Sequence, residues 1–171
     1  MKHYDWTQRF GKLYDVAVKK FGDGQRGADS FFDPTQTAFL SEIGSCPQEI
    51  YDFAEDAVLQ NEPDKDTALL VASVRRDYYL AIQKGKSGGP RYAMSDFPGK
   101  DEKLEGVDWL PRIIKKAEAK LEGRMPLEMM YGCGGDRKFL KDNDLHPADF
   151  LREVWGAKGD SKKILEYVLK H

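Results

Sequence analysis

Tyr131-Gly132-Cys133-Gly134-Gly135-Asp136-Arg137 sets a phenol, a thiol, a carboxylate and a guanidinium among three glycines. Glycine lets the backbone take positive φ and lets a ligand approach the main chain closely. The stretch follows a long helical pattern and opens a short one, so it falls at a helix N-terminus. Free N–H groups there attract an anion or support a charged thiol. That setting suits Cys133 as a nucleophile or redox thiol. A catalytic thiol needs a base, and the nearest histidine in sequence is His146. His146-Pro147-Ala148-Asp149 also reads as a helix start, with the histidine as cap. A structural loop with its cap, a ligand-binding loop and a catalytic thiol all fit these residues.

A second constellation is Arg75-Arg76-Asp77-Tyr78-Tyr79, inside an apolar helical run. Arginine is costly to bury without a partner. Asp52, Glu55 and Asp56 on the preceding helix offer a structural ion-pair network. The functional alternative is a guanidinium clamp that grips a carboxylate or phosphate in bidentate fashion.

The elements that must position these groups read as helices. Trp6, Phe10, Leu13, Tyr14, Ala17, Val18 and Phe21 recur at three- and four-residue steps, one apolar face from Tyr4 to Phe21. Asp33-Pro34 reads as a cap and first-turn proline. Ser45 is placed to cap the next helix, with Gln48 as capping-box partner. Asp66-Thr67 opens the most apolar helix, running to about Gln83 and expected at the centre of the bundle. Residues 84–106 hold glycines and prolines among charges, without a sustained period, as in a long connection. Asp108 is placed to cap a helix from Trp109 to Gly123, with Leu110, Ile113, Ile114, Ala117 and Leu121 as its seam. Lys115, Lys116, Glu118, Lys120 and Glu122 are assigned to its solvent face. Short helices close the chain at 136–141, 147–155 and 161–170.

Composition narrows the function. A net charge of −2 over 171 residues argues against general nucleic-acid binding, which needs a basic face. No apolar run is long enough to span a membrane, and the first residues lack a signal-peptide core. The expected compartment is the cytoplasm, where Cys46 and Cys133 are thiols rather than a bridge. Two cysteines cannot form a four-ligand zinc site alone, and the three histidines are scattered. Neither Glu-x-x-His pair of a di-iron bundle is present. Met125, Met129 and Met130 read as soft core or lid residues. No metal or cofactor is expected.

The order of Trp109-Leu110-Pro111-Arg112-Ile113-Ile114-Lys115-Lys116-Ala117-Glu118-Ala119-Lys120-Leu121-Glu122-Gly123, Gly132-Cys133-Gly134-Gly135-Asp136-Arg137-Lys138-Phe139-Leu140 and Pro147-Ala148-Asp149-Phe150-Leu151 resembles a bacterial family. That family is the domain of unknown function numbered five thousand and sixty-nine. The resemblance spans about residues 105–171. Its cysteine-proline-leucine-aspartate run, followed by an arginine and aromatics, is matched here by Cys133, Asp136, Arg137 and Phe139. Gly134 and Gly135 replace the proline-leucine pair, which implies a glycine-bearing subtype. The family implies no particular reaction.

The expectation is an all-α protein: an N-terminal helical bundle over 1–84, a connection over 85–106 and a smaller helical unit over 107–171. The leading functional expectation is a binding or accessory protein for a small anionic ligand. Its pocket lies between the units, lined by Arg75, Arg76, Tyr79, Tyr131, Cys133, Asp136 and Arg137. The alternatives are a thiol-dependent enzyme with Cys133 as nucleophile and His146 as base, and a purely structural or protein-interaction module. A homo-oligomer is compatible with the sequence.

Overall fold

Aspartates and prolines mark where this chain turns helical. The structure, a computed structural model, describes residues 3–170. Among them are eight α-helices and one hairpin of two very short strands, so the chain is all-α. No helix among the described residues is long and apolar enough to cross a membrane. The chain divides into two compact units, one ending at Lys86 and the other beginning at Ser87.

The first unit contains α1 (Trp6–Gly22), a 3-10 turn (Ala28–Ser30), α2 (Pro34–Glu42), α3 (Pro47–Gln60) and α4 (Lys65–Ala81). Trp6, Phe10, Leu13, Tyr14, Ala17 and Phe21 form the buried face of α1, which packs on both α3 and α4. Phe31 and Phe21 each meet the Tyr51 ring edge to face. The Tyr14 hydroxyl donates to the Pro63 carbonyl at 2.6 Å, tying α1 to the turn before α4. Burial, with Asp64 and Asp15 nearby, pushes the Tyr14 phenol up to about 12.

Asp33 and Gln36 form a reciprocal capping box on α2, as the Asp33-Pro34 pair implies. Two other helix starts differ from expectation. Asp64, not Asp66, caps α4, accepting from the Thr67 amide at 2.7 Å. Cys46, not Ser45, occupies the cap position of α3, because Pro47 takes the first helical position. Ser45 instead donates to Glu49 at 2.6 Å. Nor is α4 apolar all round: Ala68, Val71, Ala72, Val74 and Arg75 are buried while Leu70 is exposed.

The second unit contains β1 (Lys103–Leu104), β2 (Val107–Asp108), α5 (Leu110–Glu122), α6 (Gly134–Asp142), α7 (Pro147–Ala157) and α8 (Ser161–Val168). From Ser87 onward, the stretch read as a connection belongs to this unit. The Tyr92 amide donates to the Arg124 carbonyl at 2.9 Å, and Arg124 Nε to the Pro90 carbonyl at 2.7 Å. The Lys115 ammonium and the Arg124 guanidinium each lie 3.8 Å from the Tyr92 ring centroid. These contacts fasten the segment to the far end of α5. They also explain why it shows no periodicity: main-chain bonds and cation–π contacts order it, not an apolar face.

Glu105 and Gly106, with φ of 48° and 85°, form the two-residue turn between the strands. Asp108 lies in β2 and does not cap α5; Trp109, at φ 67°, precedes the helix. α5 packs on α7, and α7 on α8, around Leu110, Ile113, Leu140, Phe150, Leu151 and Ile164. Each such side chain contributes roughly 1.5–3 kcal/mol on burial.

Candidate functional site

Arg75, Arg76 and Tyr79 lie in the first unit, where each has contacts of its own. Arg75 is buried, donates to Gln83 at 2.7 Å and lies over the Tyr79 ring. Burial lowers its guanidinium from the ordinary value, partly offset by Glu49, Tyr79, Tyr78 and Cys46. Arg76 lies over the Trp6 indole and bonds His3 Nδ1 at 2.7 Å. The Tyr79 hydroxyl donates to the Gly85 carbonyl at 2.6 Å, and its ring stands where a side chain on Gly44 would. The three residues order the end of α4 and what packs against it.

Tyr131, Cys133, Asp136, Arg137 and His146 all lie in the second unit. Asp136 is its fully buried carboxylate, in the first turn of α6. There it meets the positive end of the helix dipole. Oδ1 accepts from Trp109 Nε1 at 2.9 Å, and Oδ2 from the Gly132 amide at 2.9 Å. Oδ2 also accepts a short hydrogen bond from Lys116 Nζ. Arg137 closes the same turn by donating to the Gly132 carbonyl at 2.7 Å. Tyr131 is buried and donates to the Pro147 carbonyl at 2.8 Å. Burial, with Asp136 nearby, pushes its phenol well above the ordinary tyrosine value.

Lys116 is the residue that sequence reasoning missed. Assigned to water as one charge among several, it is 2% exposed, and Lys120 one turn on is 4% exposed. Both fall on the buried stripe that also carries Ile113 and Ala117. The signal was present in the spacing: Ile113, Lys116 and Lys120 follow three- and four-residue steps. Its explanation lay elsewhere in the chain, in an acid at position 136 that needs a counter-charge.

Lys116 Nζ also reaches Cys133 Sγ, at 3.1 Å. Cys133 occupies the cap position of α6 without a side-chain cap bond, and it is partly exposed. One ammonium therefore touches both a buried carboxylate, which fixes it, and the sulfur of a partly exposed cysteine. His146 caps α7, its Nδ1 accepting from the Ala148 amide at 3.2 Å. Among the described residues no hydrogen bond joins it to Cys133.

The glycines have separate reasons. Gly132 takes φ 88° with open space around it, so conformation explains it. At Gly135 a β-carbon would stand 2.5 Å from Trp109 Cζ2, so the indole packs directly on the helix backbone. That close approach puts Trp109 Nε1 within reach of Asp136.

No group of three or more metal-ligating side chains is found among the described residues. Compared with protein families, curated proteins and solved structures, the chain has no match.

Proposed function

We propose that the second unit carries a thiol site in which Cys133 attacks a small electrophile bearing an anionic group. The observation that supports this most is the Lys116 Nζ to Cys133 Sγ contact at 3.1 Å. The nucleophilic form of a cysteine is the thiolate, and a neighbouring cation supports it. Asp136 holds that cation in place, and Trp109 and Gly132 hold Asp136. The start of α6, where Cys133 makes no side-chain cap bond, takes the substrate's anion. In the reaction Sγ supplies the electron pair of the new bond, the bond from the attacked atom to the leaving group breaks, and the leaving group departs with that bond's electron pair.

A small anionic ligand remains part of this reading, now beside Cys133. Arg75, Arg76 and Tyr79 give it less support, since their side chains are engaged within their own unit. The resemblance read over about residues 105–171 implies no reaction. Two thiols suit a reducing compartment such as the cytoplasm.

Iodoacetate and iodoacetamide test the reading, with peptide mapping to separate Cys133 from Cys46. Cys133 is expected to favour the anionic reagent, relative to a small free thiol, and to react faster than Cys46. Reaction at the rate and reagent preference of a free thiol would remove the proposal.

A further inference from the structure

The Lys116–Cys133 contact has a second chemical consequence, which rests on the reading that Cys133 is the reacting thiol. We infer that oxidation joins Cys133 Sγ to Lys116 Nζ through a single bridging oxygen. The two atoms are already 3.1 Å apart. Lys116 is fixed by Asp136, and the start of α6 sets the backbone of Cys133 beside it. Two single bonds meeting at one oxygen span this gap with little movement. A direct sulfur–nitrogen bond would require drawing Lys116 Nζ away from Asp136.

The oxidant is dioxygen or hydrogen peroxide, entering from the exposed side of Cys133. With dioxygen, one thiol and one amine give the bridge and one water. Sulfur and nitrogen each lose two electrons, and the two oxygen atoms take all four. One oxygen becomes the bridge and the other leaves as water, with one hydrogen from the thiol and one from the amine. With hydrogen peroxide, two molecules are consumed and three waters leave. Lys116 reacts as the free amine, its extra proton passing to Asp136 Oδ2, the oxygen it already contacts. The other oxygen of Asp136, Oδ1, still accepts from Trp109.

The product removes both the nucleophile and the cation, so it is an off-state for the site, reversed by thiol reductants. It also shields Cys133 from the irreversible sulfinic and sulfonic acids higher on the oxidation ladder.

The test is mass spectrometry of the full chain after hydrogen peroxide, without reductant. The expected product gains one oxygen and loses two hydrogens. Trypsin then fails to cut after Lys116, and one linked peptide contains Lys116 and Cys133. Dithiothreitol restores the original mass. Cys133→Ser is expected to abolish the linked peptide while the chain stays folded by circular dichroism. Cys133 oxidised to sulfinic or sulfonic acid with Lys116 still cut would overturn the bridge. So would a product that has lost two hydrogens and gained no oxygen. If alkylation shows a reactive Cys133 but no linked peptide forms, the bridge fails and the thiol site stands. If Cys133 is also sluggish toward alkylation, both fall.

Discussion

Lys116 on α5 and Asp136 on α6 face each other with 2% and 0% of their side chains exposed. Breaking such a pair from one side strands the other charge without water. Asp136→Ala is expected to cost about 3–5 kcal/mol in denaturant unfolding. Replacing both charges, Lys116→Met with Asp136→Leu, is expected to cost less than the two single losses added together. Strict additivity, or a single loss under about 1 kcal/mol, would contradict the buried pair.

The Trp109 indole and Gly135 make a sharper steric test. A methyl at 135 meets Cζ2 at 2.5 Å and Cη2 at 2.7 Å, both rigid ring atoms. Gly135→Ala is expected to destabilise by about 1–3 kcal/mol. Gly134→Ala, whose new methyl would lie 3.9 Å from the end of Arg137, is expected to be neutral or slightly stabilising. Equal effects at the two neighbours would remove the packing explanation.

These residues show what the sequence made legible. Apolar periodicity marked every long helix, because a buried face must repeat every three or four positions whatever it packs against. The Cys133 loop stood out through its glycines, and Asp136 and Arg137 do order it. Lys116 did not stand out, because its burial depends on an acid twenty residues further on. The hairpin of Lys103–Leu104 with Val107–Asp108 is too short for alternation to show. Asp108 therefore read as a helix cap when it is the end of a strand.

Alkaline pH gives a test in the first unit. The Tyr14 phenol is pushed up to about 12, from an ordinary value of 10.0. The unfolded chain therefore releases this proton first. The stability tied to the protonated phenol is complete below pH 10.0 and is lost as pH rises through about 12. Tyr14→Phe removes the bond to Pro63 and is expected to cost about 0.5–1.5 kcal/mol at neutral pH. The gap between the two proteins should narrow across that alkaline window. A gap that stays constant there would show that Tyr14 titrates as it does in the unfolded chain.

The helix start at Cys46 offers a gain rather than a loss. Cys46 makes no side-chain cap bond to α3, and serine is a favoured residue at that position. Cys46→Ser is expected to hold or raise the melting temperature, by up to about 1 kcal/mol of stability. It also leaves Cys133 as the chain's single thiol. A clear loss of stability would mean that the Cys46 sulfur is needed where it stands.

The most direct measurement is the rate at which iodoacetamide modifies Cys133 at neutral pH, in the folded chain and in the urea-unfolded chain. Partial burial alone would slow the folded thiol, so the comparison is biased against a functional site. The Lys116 contact leads us to expect the folded protein to react several-fold faster. Equal or slower modification of the folded chain would contradict a thiol site at Cys133.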